Sequence, residues 1–301
     1  MPTITSSDGI RLHYVESGDP AGRPVVLIAG FKASATGWHY QVKPLTRAGY
    51  RVIAFDRRGH GLSETGPEGG HTMDRHGADI GELVEQLGLA DATLVGQSMG
   101  GNAIWALLAS SGSTGAAGSD GAAGSDGAAG SDGAAGSSSA STGPRGIRDV
   151  VIVDQTPKML NSDDWAHGFY DYDAGNAETL FATGIPDPGR YPLKTKGLVR
   201  IARVLRVIDL PKGGKPTFTA AELALLGDHA KRDWRPVISA AGVPAFFIAG
   251  AESEFWPAAH AAASADLNPL ASSTVIEHDG HAANIEQPAR FNDELLAFLA
   301  R

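Results

Sequence analysis

The apolar positions of this chain fall mainly into short, nearly continuous runs that end at a glycine or a polar residue. Such runs are typical of strands buried on both faces of a parallel sheet. They are "PVVLIAG", "YRVIAFD", "ATLVGQS", "DVVIVDQ" and "PAFFIAG", and "STVIEHDG" follows the same pattern. The earlier stretch "RLHYVESG" alternates apolar and polar positions instead, which predicts a half-exposed antiparallel strand.

Segments with helical periodicity separate most of these runs. In "RHGADIGELVEQLG", for example, Ile80, Leu83, Val84 and Leu87 form one apolar face, and Gly88 is a suitable residue to end the helix. Strands that alternate with helices predict a mostly parallel sheet covered by helices on both faces. The predicted fold class is therefore α/β.

Two segments interrupt this alternation, and the first is of low complexity. Residues 110–146 consist almost entirely of Gly, Ala and Ser with a few Asp, and they repeat the hexapeptide "GAAGSD". Such a segment cannot bury enough apolar surface to offset the entropy lost on ordering, which predicts a flexible surface insertion. A tolerated expansion or an engineered linker is favoured over a functional tether.

The second interruption, residues 158–235, contains helix-like stretches separated by Pro and Gly. Because it lies between two predicted sheet strands, we expect a helical cap over the carboxyl-terminal edge of the sheet. The helix-like stretches are "DDWAHGFYDYDAGNAETLFATG", "YPLKTKGLVRIARVLRVIDL" and "TAAELALLGDHAKRDW". Residues 1–157 and 236–301 then form the α/β core.

Composition narrows the class of protein. A chain of 301 residues is long enough for one large α/β domain with an accessory part. The absence of cysteine excludes disulfides, thiolate nucleophiles and cysteine-based zinc sites. A net charge of −9 argues against nucleic-acid partners. No run is long enough to cross a bilayer, and the start of the sequence lacks a secretory signal, so we expect a cytoplasmic location without membrane partners.

The stretch "VGQSMGGN" contains the pattern G-x-S-x-G with Ser98 at its centre. It follows the apolar run "ATLV" and precedes the helix-like "NAIWALLA". Strand, sharp turn and helix together are the context in which a nucleophilic serine is exposed at the end of a sheet strand. Glycines on both sides remove side chains that would collide in a strained turn. Ser98 is therefore the predicted nucleophile.

Two further stretches supply other groups that acyl transfer requires. "IAGFKAS" follows the first buried strand, where the backbone N–H of Phe31, together with that of Met99, can form an oxyanion hole. "EHDGHAANIEQP" follows the last strand, where the general base of a Ser–acid–His order falls, and we predict His281 in that role. His278 competes for it but lies closer to the strand.

The stretch "FDRRGHGLS" follows another of the buried runs. We expect Asp56, Arg57 and Gly59 to shape the turn there, which is a structural rather than a catalytic role. His60 has no evident partner in the sequence, and we expect it to be structural or solvated.

Together these motifs resemble the α/β-hydrolase fold superfamily, and within it the capped serine esterases, lactonases and haloperoxidase-like enzymes. The resemblance rests on "AGF", "DRRGHGLS", "GQSMGG" and "DGHAANIEQP". It implies the α/β-hydrolase fold, a helical cap and a catalytic triad, although Ala29 stands where many relatives have His. A serine nucleophile, where relatives that open epoxides or displace halide use aspartate, implies acyl transfer. No cofactor is implied, and no metal-binding spacing occurs in the sequence.

The acid of the triad is the least regular part of the resemblance. In the commonest members it lies three residues after a glycine and four before a proline, and in "AGAESEFWP" the residue at that spacing is Ser253. The remaining candidates are the carboxylates of Asp154, Glu252 and Glu254. Asp154 ends the strand-like "DVVIV", beside the predicted nucleophile strand, where some members of the resembled fold carry their acid. We predict Asp154 as the acid, with Glu252 as the alternative.

Three functions are compatible with these residues. We predict a serine hydrolase that cleaves a small-molecule carboxylic ester or lactone through an acyl-enzyme intermediate. A ligand receptor on the same fold would retain the same residues with little turnover. A cofactor-free, haloperoxidase-like enzyme would use the same constellation with peroxide.

Overall fold

A computed structural model of the chain describes residues 1–67, 69–112, 146–207 and 217–301. The strands of this part of the chain form one eight-stranded sheet in the order β1-β2-β4-β3-β5-β6-β7-β8. They are β1 (Thr3–Thr5), β2 (Arg11–Ser17), β3 (Pro24–Ile28), β4 (Arg51–Phe55), β5 (Ala92–Gln97), β6 (Ile147–Val153), β7 (Ala245–Gly250) and β8 (Ala271–Ile276).

The pairing of the strands confirms the predicted mostly parallel sheet. β2 pairs antiparallel with β1 and β4, and all the pairs from β4 to β8 along the sheet are parallel. The five residues of β3 are all buried, as the continuous apolar run "PVVLI" predicts. β2, whose sequence alternates, is only partly buried.

Helices cover both faces of the sheet. They are α1 (His39–Arg47), α2 (Met73–Gln86), α3 (Met99–Gly112), α4 (Leu198–Val207), α5 (Ala220–Lys231), α6 (Arg235–Ala240), α7 (His260–Ala265), α8 (Ala283–Glu286) and α9 (Pro288–Leu299). One apolar core lies under α2, α3, α5, α6 and α7, and a second core, on the opposite face, lies under α1 and α9. This two-faced arrangement is the predicted α/β fold, and the apolar surface buried on both faces stabilises it.

The segment between β6 and β7 is less helical than the sequence predicts. The stretch 163–184 forms successive turns rather than a helix. Its short polar side chains bond to nearby backbone groups. Asn176 Nδ2 donates to the Asp171 carbonyl at 2.7 Å, and Asp173 Oδ1 accepts from the Gly175 N–H at 2.8 Å. Such local bonds compete with helical hydrogen bonds, and they explain why the prediction of a helix here is wrong.

The other two helix-like stretches of this segment do contain helices. α5 begins with a capping box, in which Thr219 and Glu222 each bond the other's backbone N–H. α4 occupies part of "YPLKTKGLVRIARVLRVIDL", whose last residues, 208–210, lie outside the described residues. Most of the predicted flexible insertion, 113–145, lies outside them as well. The division into a core and a cap at 158–235 stays a prediction.

The described residues include no helix long and apolar enough to cross a membrane.

Candidate active site

Ser98 lies in the sharp turn between β5 and α3. Its backbone adopts a left-handed conformation with φ of 52°, which is strained for a residue with a side chain. A Cβ on Gly96 would lie 2.5 Å from the backbone nitrogen of Gly101, and one on Gly100 would lie 2.5 Å from the carbonyl oxygen of Ile28. Glycine is therefore required on both sides of the serine, because the turn packs backbone against backbone.

Asp154 follows the last residue of β6 and is completely buried. Its φ of 44° turns the chain sharply at the end of the strand. There its carboxylate oxygen Oδ2 lies 2.8 Å from Nδ1 of His281. The structure thus brings together one predicted acid candidate and the predicted base, which are separated by 127 positions in the chain.

Two further groups hydrogen-bond the Asp154 carboxylate, and a buried imidazole lies beside it. Ser253 Oγ donates to Oδ2 at 2.6 Å, and the Gly250 N–H donates to Oδ1 at 3.0 Å. Nε2 of His260, a fully buried residue, lies 3.5 Å from Oδ1. Burial raises the pKa of Asp154, but the neighbouring His260 and His281 outweigh it and hold the pKa well below its ordinary value. The carboxylate is therefore ionised at neutral pH.

Sequence reasoning missed the roles of these supporting residues. In the sequence Ser253 is only the residue that stands where an acid is usual, and the structure shows its hydroxyl bonded to Asp154. His260 carries no motif and lies at the start of α7. The serine in place of an acid was the one signal that pointed to this region.

Neither of the other two carboxylate candidates bonds the imidazole ring of His281 within the described residues. Glu252 Oε2 accepts from Arg200 Nη1 at 2.6 Å, and its Oε1 lies 3.4 Å from Nδ1 of the exposed His278. Glu254 Oε2 accepts from the backbone N–H of His281 at 2.8 Å. Glu254 therefore supports the loop of His281, whereas Glu252 belongs to an ion cluster.

That ion cluster joins α4 and the residues before it to the loops around His281. Glu286 Oε1 lies 2.9 Å from Lys196 Nζ, and its Oε2 lies 2.5 Å from Arg200 Nη2. Lys196 also contacts Glu254. Close by, burial raises the pKa of Asp279 to about 9, so this carboxyl is protonated at neutral pH.

Ser98 and His281 line one cavity of about 640 Å³. No direct hydrogen bond joins Ser98 Oγ to the His281 ring in the described part of the chain. The rings of Phe255 and Trp256 pack edge-on against that of His281, with centroids 4.5 and 5.2 Å away, and restrict its orientation. The other apolar residues of the cavity wall include Phe31, Trp38, Met99, Met159, Phe169, Phe181, Ile185, Leu226 and Ile285.

The two predicted oxyanion donors also line the cavity. Met99 is the first residue of α3, where backbone N–H groups have no partner within the helix and the helix dipole favours negative charge. Phe31 follows Gly30, whose ideal Cβ would lie 3.0 Å from the Cβ of Ser98. The loop of Phe31 is thus packed directly against the serine.

The side chain of Arg57 reaches this loop, whereas the sequence predicts that Arg57 shapes its own turn. Its Nε donates to the Ala29 carbonyl at 2.9 Å, and its Nη2 donates to the Gly30 carbonyl at 2.8 Å. Asp56 does bond its own turn, where its Oδ2 accepts from the Leu62 N–H at 3.1 Å, and its Oδ1 also accepts from the Ala35 N–H at 2.6 Å, just after the loop of Phe31. The sequence offered no signal that separates the role of Arg57 from that of its neighbours.

The fold and the arrangement of the site define an α/β-hydrolase-fold protein. Residues 23–113 match the family model described as the α/β hydrolase fold. Over 104 residues the chain is 44% identical to a non-heme chloroperoxidase from Streptomyces lividans. The matched segment covers 35% of this chain and 37% of that protein. Over 105 residues it is 38% identical to a bifunctional esterase/perhydrolase from Acinetobacter calcoaceticus, which covers 35% of this chain and 37% of that protein.

The similarity of structure extends further along the chain than that of sequence. A bromoperoxidase from Bacillus anthracis superposes with a TM-score of 0.73 over 100% of both chains at 26% identity. The matched segment of sequence spans well under half of each curated relative, as the 37% coverage above shows. The α/β-hydrolase fold is therefore shared by the described parts of the chain, while the family match is confined to residues 23–113, which include the predicted nucleophile.

Proposed function

We propose that the protein is a serine hydrolase that cleaves a carboxylic ester or lactone of an apolar small molecule through an acyl-enzyme intermediate. The observation that carries this proposal is the 2.8 Å contact between Asp154 and His281 at the wall of the cavity that Ser98 lines. Nucleophile, acid and base follow the order Ser, Asp, His along the chain, which is the order found in α/β hydrolases.

In the proposed mechanism, Ser98 Oγ attacks the carbonyl carbon while His281 Nε2 takes its proton. The imidazole returns that proton to the leaving oxygen, and a water molecule then releases the acyl group by the same steps. Catalytic hydrogen bonds are often long before substrate binds, so we expect Ser98 and His281 to approach each other in the substrate complex.

The roles of the other groups follow from charge. Asp154 accepts from Nδ1–H, which leaves Nε2 as the free base, and its negative charge stabilises the imidazolium that forms. The N–H groups of Phe31 and Met99 stabilise the oxyanion of the tetrahedral intermediate. Because Asp154 is buried and ionised, it supplies this charge throughout the reaction.

The cavity supports an apolar substrate class. Its volume of about 640 Å³ falls within the range of about 300–1,000 Å³ typical of small-molecule sites. Aromatic and aliphatic side chains form most of its wall. Lys32 also lines the cavity, but its Nζ already pairs with Glu222 at 2.7 Å. A charged acyl or alcohol group would lose its hydration against the apolar wall, so uncharged esters and lactones are favoured.

A panel of p-nitrophenyl esters of increasing acyl length, with aliphatic and aromatic lactones, tests the proposal. We expect steady turnover by the wild type and a loss of at least about 10³-fold in kcat for Ser98→Ala, with unchanged thermal unfolding. Retention of wild-type rates by Ser98→Ala would refute the proposal. A single burst without turnover would indicate a receptor instead.

A second candidate is peroxide-dependent chemistry at the same serine, in which hydrogen peroxide replaces water and the acyl-enzyme releases a peracid. The names of the relatives favour it, because they include a chloroperoxidase and an esterase/perhydrolase. The released peracid would oxidise added bromide to hypobromous acid and return to the carboxylic acid. Bromination of monochlorodimedone that requires bromide, acetate, peroxide and Ser98 would therefore support this candidate. Ester turnover without that activity would favour the hydrolase alone.

A further inference from the structure

Arg57 is a buried cation whose contacts with the oxyanion loop have no part in the mechanism above. Its side chain is among the largest fully buried ones of the described residues. It donates to two successive carbonyls, those of Ala29 at 2.9 Å and Gly30 at 2.8 Å. Burial lowers the pKa of Arg57 to about 9, and the guanidinium keeps its charge at neutral pH.

No carboxylate neutralises this charge by direct contact within the described residues. The remaining contacts of Arg57 are with imidazole nitrogens, namely His76 Nδ1 at 3.0 Å and His60 Nε2 at 3.3 Å. Burial and the nearby Arg57 lower the pKa of His60 to about 3, so that its ring is neutral. His60 Nδ1 lies 2.8 Å from the Arg58 carbonyl and donates to it, which leaves Nε2 to accept from Arg57.

The geometry of the peptide group transmits the effect of this cation to the proposed oxyanion hole. The carbonyl of Gly30 and the N–H of Phe31 belong to one planar trans peptide, in which they point in opposite directions. A cation bonded to the Gly30 oxygen therefore orients the Phe31 N–H. It also draws electron density away from that N–H, which makes the N–H a stronger hydrogen-bond donor. The bond to Ala29 fixes the preceding peptide as well, so that the loop is held at two points.

We propose that Arg57 is a positioning residue that aims and polarises the Gly30–Phe31 peptide for stabilisation of the oxyanion. This inference rests on the proposed serine hydrolase function. The packing of Gly30 against Ser98 places the polarised peptide beside the nucleophile. The role of Arg57 is exerted through the Phe31 N–H, and no contact of Arg57 with the substrate is needed.

The adjacent Arg58 provides a matched control. Its side chain is also buried, but it pairs with Asp79 at 2.6 Å and with Asp8 at 2.9 Å. Loss of either arginine removes a buried cation from the same turn, and only loss of Arg57 removes the contacts with the oxyanion loop. Arg58→Met is therefore expected to lower thermal stability without a specific effect on the oxyanion.

The experiment compares wild type, Arg57→Met, Arg57→Gln and Arg58→Met in kcat and KM for p-nitrophenyl butyrate. It also compares inhibition by butylboronic acid, which forms a tetrahedral adduct with serine, and by n-butanol, which only occupies the cavity. For Arg57→Met we expect kcat and boronic acid affinity to fall by about 10–100-fold, less than for loss of a whole oxyanion donor. KM and inhibition by n-butanol should change by less than about 3-fold, because ground-state binding does not use the oxyanion hole.

Arg57→Gln keeps one hydrogen-bond donor without the charge, and it serves if Arg57→Met does not fold. Wild-type kcat and boronic acid affinity in a folded Arg57 variant would overturn the inference while the hydrolase function stands. Equal weakening of boronic acid and n-butanol, or the same loss of kcat in Arg58→Met, would overturn it too. If the wild type neither hydrolyses esters nor binds the boronic acid, the proposed function fails, and this inference fails with it.

Discussion

The acid of the proposed triad allows the sharpest test of the site, because two carboxylates can be converted to amides of the same shape. Asp154→Asn removes a buried negative charge 2.8 Å from the imidazole, whereas Glu252→Gln removes one that pairs with Arg200. If Asp154 is the acid, only the first substitution deprives the imidazolium of its counter-ion. We expect the larger loss of kcat in Asp154→Asn.

The size of that loss follows from the distance and burial of the pair. Two unit charges about 4 Å apart interact by about 4 kcal/mol at an effective dielectric constant of about 20. Since about 1.4 kcal/mol corresponds to a factor of ten in rate, Asp154→Asn should lower kcat by about 10³-fold. The amide can also hold the wrong imidazole tautomer, which raises the expected loss to as much as about 10⁴-fold.

Steady-state hydrolysis of p-nitrophenyl butyrate measures the loss, and circular dichroism and thermal unfolding check the fold of each variant. Glu252→Gln, whose carboxylate is partly exposed, should change kcat by less than about 3-fold. A greater loss in Glu252→Gln than in Asp154→Asn would refute the reasoning about the acid, and the serine mechanism would remain. More than a tenth of wild-type kcat in Asp154→Asn would refute the charge argument itself.

Three other expectations concern the support of the site. Ser253→Ala should lower kcat by about 10-fold at unchanged KM, because one hydrogen bond to the Asp154 carboxylate is lost. Ser253→Thr keeps the hydroxyl and should restore most of the activity. Equal rates in the wild type and both variants would contradict this. Gly100→Ala should destabilise the fold by several kcal/mol in urea unfolding, because its Cβ would lie 2.5 Å from a backbone oxygen. The control, Gly227→Ala in α5, has open space around it and should stabilise the fold by up to about 1 kcal/mol. The raised pKa of Asp279, from an ordinary 3.8 to about 9, means that the unfolded chain releases a proton which the folded protein keeps, so the free energy of unfolding should fall as pH rises between these values. Asp279→Asn should flatten that fall in urea unfolding at pH 5, 7 and 9, and an unchanged slope would show that this carboxyl is not its source.

The predictions that succeeded from sequence concern short stretches of chain. Continuous apolar runs identified the buried parallel strands because a strand covered on both faces needs apolar residues at every position. The glycines around Ser98 indicated the sharp turn, because the backbone of this strand–turn–helix leaves no room for side chains at their positions. The failure at 163–184 has a local cause as well, since bonds from Asn and Asp side chains to the backbone compete with a helix whose apolar pattern is otherwise suitable.

The environment of each carboxylate candidate depends on distant parts of the chain. Asp154, Glu252 and Glu254 were all acceptable in sequence because each lies next to the end of a predicted strand. Their environments differ only after β6 and β7 pair and α4 packs beside the loops that follow them. The serine that stands where an acid is usual then bonds to Asp154, which no spacing rule indicates.

Arg57 and Arg58 show the same division in two adjacent residues. The sequence by itself determined that a turn with two arginines follows β4. It also determined the strands, the serine turn and the α/β class. Only the tertiary structure decided that one guanidinium bonds the carbonyls of the oxyanion loop and the other pairs with carboxylates. Backbone conformation depends on neighbours a few positions away, whereas the partner of a long charged side chain depends on which distant segments pack around it.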